Sequence, residues 1–192
     1  MRIKTTVQHL GYRGLARYRE ATWGTVKISV GGVSAKFMAP DRHISIHEVA
    51  ETEQQMLSEW CSSANEYTTV WDVGSELGIY SALAGVQGAT VQAFEPRGRV
   101  AAKTRVNLRT NGVTGDVNEA ALGGYEETPS KWLQENCPTA ELSTGDAIAR
   151  ENGTPDVVKV DIEGGELEFL KGFFRRFRKQ STNYDTYRNP FI

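Results

Sequence analysis

Cysteine is scarce in this chain. Its 192 residues hold two, Cys61 and Cys137, which form neither a CxxC pair nor a metal-ligand spacing. That argues against a disulfide framework and favours a reducing, cytoplasmic location. No apolar run approaches the length of a membrane span, and the basic N-terminus lacks the apolar stretch of a secretory signal. An excess of one charge is missing too. With 22 Lys and Arg against 24 Asp and Glu, the net charge is −2, which gives no reason to expect nucleic acid as a partner. Internal repeats and low-complexity tracts are absent. What remains is 39% apolar and 24% charged residues, ordinary for a soluble globular chain and enough for one domain with a sizeable core plus an appendage.

The stretch that organises the rest is Val70-Trp71-Asp72-Val73-Gly74-Ser75-Glu76-Leu77-Gly78-Ile79-Tyr80. It predicts a short apolar strand, a glycine-bearing turn, and a helix with Ser75 or Glu76 in its first turn. About twenty residues on, Thr90 to Phe94 predicts a second strand, ending in Glu95-Pro96. Strand, glycine turn, helix, strand and acid is the plan of a nucleotide-binding βαβ unit.

Before this unit, Thr25–Val30 and Val33–Met38 alternate around Gly31-Gly32, a strong local hairpin signal that predicts a small lid or edge ribbon. Glu48 to Trp60 predicts a helix with Val49, Met56, Leu57 and Trp60 on one face. After the unit, Pro96 and Gly98 lead into a helix with Val100, Ala101, Thr104 and Leu108 inward, closed by Asn111-Gly112. A third strand is expected over Asp116–Leu122, short helices near 129–133 and 144–149, a buried strand over Pro155–Asp161, and a helix through Leu167, Phe169 and Leu170. Strands alternating with helices predict a parallel sheet covered on both faces.

Other features have bland readings beside sharper ones. Residues 2–20 form a loosely periodic basic segment, either a membrane-surface helix or a peripheral helix with a solvated basic face. His43 and His47 would pair on a helix, but the stretch between them looks as much extended as helical and no third ligand follows, so no metal site is expected. The basic, aromatic run Phe173–Lys179 would suit a membrane or RNA, or a helix end with snorkelling cations.

Taken together, Asp72-Val73-Gly74-Ser75-Glu76-Leu77-Gly78, then Phe94-Glu95-Pro96 with Asn107 and Asn111-Gly112, then Lys159-Val160-Asp161-Ile162-Glu163-Gly164-Gly165-Glu166-Leu167 resemble the FkbM family of S-adenosylmethionine-dependent methyltransferases. Asn118–Gly123 and Thr144-Gly145-Asp146 fall where that family has similar short signatures. The resemblance covers roughly residues 25 to 172. It implies a Rossmann-like class I methyltransferase core with an N-terminal helix and β-hairpin, divided as 1–60 appendage, 61–172 core and 173–192 tail. The family has Ala-Asn where this chain has Ser75-Glu76. It also continues past Gly172 with further strands, so part of the C-terminal sheet is expected to be missing, leaving an open edge through which copies would self-associate.

The resemblance implies that Asp72, Gly74, Ser75, Glu76 and Gly78 surround S-adenosylmethionine, with Glu95 and Pro96 at its ribose. A carboxylate accepts two O–H bonds from a vicinal diol, and Asp72 would favour the sulfonium cation. As structural alternatives, Asp72 and Gly74 make a tight turn and Glu95 is a solvated loop acid. Asp161 and Glu163, at the end of a buried strand, are the expected catalytic pair, orienting an acceptor hydroxyl or removing its proton. Equally, Asp161 would cap the following helix while Glu163 and Glu166 favour its dipole. Asp146 would join the site or serve as a cap. The expected function is methyl transfer to a hydroxyl oxygen of a small molecule or sugar; a cofactor-binding remnant or interaction module without catalysis is the alternative. A nicotinamide dinucleotide fits poorly, because G-x-G-x-x-G is absent and Glu76 would crowd the pyrophosphate.

Overall fold

Alternation at the start of the chain produces the hairpin β1 (Val26–Val30) and β2 (Val33–Phe37), paired antiparallel with Val30 opposite Val33. Gly31 and Gly32 both have positive φ, +56° and +82°, as a tight two-residue turn requires. Inward-facing Val26, Ile28, Val30, Ala35 and Phe37 are buried. The hairpin is a wall of the core, where a lid or edge ribbon was expected. The structure is a computed structural model describing residues 25–38, 43–124 and 131–173. The basic segment 2–20 and the tail 174–192 lie outside the described residues.

Helices α1 (His43–Thr52) and α2 (Gln54–Ser63) follow, with a break in backbone angles at Glu53 (φ −106°, ψ 19°). The stretch holding His43 and His47 is therefore helical. Among the described residues, no group of three His, Cys, Asp or Glu side chains could hold a metal ion. Leu57 and Trp60 of α2 are buried.

The central sheet comprises β3 (Thr69–Val73), β4 (Thr90–Phe94), β5 (Gly115–Asn118) and β8 (Val157–Val160), in the order β5-β4-β3-β8 with every pair parallel. Helix α3 (Ile79–Gly85) links β3 to β4, and α4 (Gly98–Thr110) links β4 to β5. The order runs outward from β3 in one direction and then switches to its other side at β8. This is the doubly wound, Rossmann-like arrangement, and ligands bind where the order reverses, at the carboxyl ends of the strands. That switch point lies between β3 and β8.

Between β5 and β8 the chain makes a small second sheet of β6 (Ala120–Gly123) and β7 (Glu141–Thr144), also parallel, with α5 (Lys131–Asn136) and α6 (Gly145–Asn152). The strand expected over 116–122 is thus two. It breaks at Glu119, whose carbonyl accepts from Glu141 N (3.1 Å) and whose carboxylate meets Arg105 (2.8 Å). Last comes α7 (Glu166–Phe173).

Strand alternation divides the interior in two. Val70 and Val91 face one core shared with the hairpin and α1–α3; Trp71, Val73, Phe94 and Val158 face another, filled by Phe169 and Phe173 of α7. Trp71 lies 5.3 Å from the Phe94 ring, edge-on, and 5.4 Å from Phe173. Val86, just past the end of α3, is exposed. Helix α3 itself is buried from Ile79 to Ala84, as both faces of a parallel sheet demand.

Candidate functional site

The turn after β3 is tighter than a strand running straight into a helix. Gly74 N and Ser75 N both donate to Phe94 O, at 2.9 and 3.1 Å, and Gly78 N donates to Ser75 O at 2.7 Å. Helix α3 begins only at Ile79, with Gly78 at its N-cap in the left-handed region. Ser75 and Glu76 are therefore in the turn, ahead of the helix where they were expected. Gly74 is required twice over: its φ is +77°, and a Cβ there would collide with the carbonyl oxygen of Asp161 at the end of β8. The glycine lets the two strands that flank the switch point touch through their backbones.

Glu76 adopts φ +45°, unusual for a residue with a side chain, and its surroundings hold it there. Thr104 Oγ1 donates to Glu76 O (2.5 Å) and Asn107 Nδ2 donates to Leu77 O (2.8 Å). Thr104, Asn107 and Asn111 recur at helical spacing on one face of α4. Asn107 Oδ1 also accepts from Met38 N (2.7 Å), and Asn111 exchanges two bonds with the Lys36 backbone (2.7 Å each). One helix face thus fastens the hairpin to the glycine turn. In the sequence Asn107 stood out as a marker of the resemblance, Asn111 as that and as the close of the helix, and Thr104 as a core position.

Beneath the turn lies a buried charge cluster. Asp72 Oδ2 accepts from Ser81 N (3.1 Å) and Ser81 Oγ (2.6 Å). Its Oδ1 has no hydrogen bond among the described residues but stands 3.5 Å from Lys159 Nζ, which donates to Gly74 O at 2.9 Å. Lys159 also lies 3.7 Å from Asp161 Oδ2 and 5.1 Å over the Tyr80 ring. The Tyr80 hydroxyl donates to Glu53 (2.6 Å), and burial, then that bond, pushes its pKa well above the ordinary value. With Asp72 fully buried and Lys159 nearly so, a broken pair would leave an uncompensated charge, a cost of about 3–5 kcal/mol. Lys159 was legible only as part of a motif; its position joins the β3 turn to the β8 exit.

Glu95 is 1% exposed and accepts from four N–H groups. Oε1 takes Arg97 N (2.9 Å) and Arg97 Nε (2.8 Å); Oε2 takes Arg97 Nη2 (3.1 Å) and Glu76 N (3.2 Å). Pro96 sits between, and its fixed φ suits the bend that returns Arg97 N to the carboxylate. The Glu95 hydrogen bond holds the Arg97 guanidinium above its ordinary pKa, against burial, with Glu76 adding to the effect. Glu95 is not a solvated loop acid, and Arg97 is the site residue that sequence reasoning missed.

Asp161 and Glu163 are both exposed beyond β8, and Glu163 has φ +53°. Neither caps α7. Glu166, the first residue of α7, instead reaches back to the loop, where its carboxylate accepts from Ile162 N (3.1 Å) and Gly164 N (3.0 Å). A bond from its own N–H, then those from Gly164 and Ile162, lower its pKa. Asp146 is buried in the first turn of α6, whose cap is Thr144. The structure therefore groups Glu76, Glu95 and Arg97 at the β4 end, and Asp72, Gly74, Lys159 and Asp161 at the β3–β8 crossing.

No family model matches the chain. It is 29% identical over 174 residues to the hexuronic acid methyltransferase AglP of Haloferax volcanii, covering 81% of this chain and 70% of that protein. The relationship is to methyltransferases. Among solved structures, an S-adenosylmethionine-dependent methyltransferase from Agrobacterium tumefaciens overlaps with TM-score 0.45 at 16% identity, covering 72% of this chain and 39% of that one. The Pyrococcus abyssi tRNA (uracil-54, C5)-methyltransferase, solved with S-adenosyl-L-homocysteine, overlaps with TM-score 0.46 at 12% identity, covering 80% and 32%. The chain thus spans well under half the length of these two structures.

Proposed function

We propose that the chain binds S-adenosylmethionine across the β3 turn and the β4 end and transfers its methyl group to a hydroxyl oxygen of a small molecule or sugar. The observation that carries this is Glu95, a buried carboxylate whose Oε2 accepts from the backbone of the glycine turn. A nucleoside there would meet the turn and the acid together. The residues present fit the cofactor. Besides Glu95, Ser75 Oγ in the turn is buried and has no hydrogen-bond partner among the described residues. The sugar-type acceptor draws on the relationship to a hexuronic acid methyltransferase. Membership of the FkbM family draws on the three motifs read in the sequence.

When bound, the cofactor would supply an electrophilic methyl group on a cationic sulfur. Glu95 would accept the ribose hydroxyls, while Gly74, packed on the Asp161 carbonyl, and Gly78, packed on Thr104, keep the turn at the strand ends. Asp72, through Ser81 and Lys159, would hold the turn in shape beneath it. Asp161 and Glu163, exposed at the switch point, would orient the acceptor hydroxyl, and one of them would take its proton as the oxygen gains the methyl group. Cys61 and Cys137 are both free, which favours a reducing, cytoplasmic setting. Among the described residues no helix is long and apolar enough to cross a membrane, and β8 pairs with β3 alone. Association of copies through that edge belongs to the same proposal and is checked by the mass of the particle in solution.

Calorimetry with S-adenosylmethionine, S-adenosylhomocysteine and NAD tests the proposal. Wild type should bind both methionine-derived ligands, and Glu95→Ala neither. Binding of NAD alone would contradict it. An assay of methyl transfer to hexuronic acids then separates an enzyme from a binding module, which would bind cofactor and methylate nothing.

A further inference from the structure

A carboxylate offers four acceptor positions on its two oxygens, and Glu95 has all of its positions filled. Two of its donors, Glu76 N and Arg97 N, are backbone groups that the chain itself fixes. The other two, Arg97 Nε and Nη2, belong to a side chain that is 32% exposed. A guanidinium edge presents two parallel donors to two carboxylate oxygens. A vicinal diol presents the same pattern. If Glu95 takes a ribose, as the proposed function has it, the positions the diol needs are the ones Arg97 now holds.

Arg97 has somewhere else to go. Its Nη2 already stands 3.5 Å from Glu76 Oε1, and the Glu76 side chain is 47% exposed. The guanidinium can rotate outward onto this second acid without losing a counter-ion, while its backbone N–H stays on Glu95. We infer that Arg97 is a resident occupant of the nucleoside site, exchanged for the ligand's vicinal diol, and that Glu76 receives it. This inference rests on the reading of Glu95 as a ribose acceptor.

The arrangement keeps a buried carboxylate paired in the absence of ligand, where a bare charge would be costly. It also lowers affinity, because the ligand-ready arrangement is only a fraction of the population. Diol-bearing ligands bear this competition directly. A nucleoside without the diol gains nothing from the removal of Arg97, since it makes no use of the freed acceptors.

Calorimetric titration of the full chain with S-adenosylhomocysteine, adenosine and 2′,3′-dideoxyadenosine tests this on wild type, Arg97→Gln, Glu76→Gln and the double variant. Arg97→Gln should bind S-adenosylhomocysteine and adenosine roughly 5–30-fold tighter than wild type, with dideoxyadenosine unchanged. Glu76→Gln should weaken S-adenosylhomocysteine a few-fold, on the order of the smaller couplings, and its effect should shrink once Arg97 is Gln. Should Arg97→Gln fail to fold, Arg97→Lys, which cannot pair bidentately, should show the same direction with a smaller gain. Equal or weaker binding of S-adenosylhomocysteine by the Arg97 variants, or an equal gain for dideoxyadenosine, would overturn the role of Arg97 while leaving the cofactor reading in place. Failure of every form to bind either diol-bearing ligand would overturn both.

Discussion

The acids at the carboxyl ends of β4 and β8 sit in opposite surroundings. Glu95 is buried and held by four N–H groups, and its neighbours in the turn are fixed from above by α4 and from below by Lys159. Asp161 has 63% of its side chain exposed, with its carboxylate 3.7 Å from Lys159, and Glu163 is exposed too. One end of the site is built before any ligand arrives; the other presents charge to solvent. The turn and the two backbone donors on Glu95 are preorganised for binding, and only the Arg97 side chain has to leave, so the β4 side should govern affinity and the β8 side turnover. Lys159 joins the two through a buried side chain.

Severing that connection should have the largest effect. Lys159→Met leaves Asp72 buried without its cation and Gly74 O without its donor, and should cost about 3–5 kcal/mol in chemical denaturation. A loss below about 1 kcal/mol, the scale of an exposed pair, would show that the two sides are not joined through this side chain. Next comes Asp161→Asn. Turnover should fall about 100-fold or more while S-adenosylhomocysteine affinity and stability hold. A matching loss of affinity would move Asp161 to the cofactor side and erase the contrast. Asn107→Ala removes partners from Met38 N and Leu77 O and should cost about 2 kcal/mol. It should weaken cofactor binding as well, since the turn loses its upper support.

The two sides also differ in how far the sequence revealed them. Glu95 was legible because strand, glycine turn, strand and acid follow one another at short range, and local patterns of that kind survive folding. Gly74 was legible as a turn, but the reason it must be glycine, the Asp161 carbonyl, lies across the sheet. Arg97 was hidden for the same reason that Glu95 was visible. At the mouth of a helix it belongs to no local pattern, and only the bend at Pro96 returns it to the acid. On the β8 side, Asp161 resembled a helix cap because it precedes α7, yet the chain makes a further turn and Glu166 reaches back instead. Strand β7 left almost no signal: it has four residues, none fully buried, and owes its pairing to β6. The start of α3 was misplaced because Gly78 in the left-handed region adds a turn before the helix.

The smallest effect concerns Glu166. Its folded pKa lies below the ordinary 4.5, first through its own N–H and then those of Gly164 and Ile162. A depressed carboxylate lends stability that is present above its unfolded pKa and is lost as pH falls through the folded value. Wild type should therefore lose more thermal stability than Glu166→Gln on acidification below 4.5. Identical acid profiles would remove Glu166 from the account of the β8 side.

The central claim, that a buried acid built into the β4 end receives a nucleoside diol, is tested most directly by titrating S-adenosylhomocysteine into wild type and Glu95→Gln. Gln keeps the size and loses the charge-assisted bonds, each worth about 1.5–3 kcal/mol. The account predicts saturable binding to wild type and affinity roughly 10–100-fold weaker for the variant. Equal affinity in the two proteins, or no binding to wild type, would contradict it.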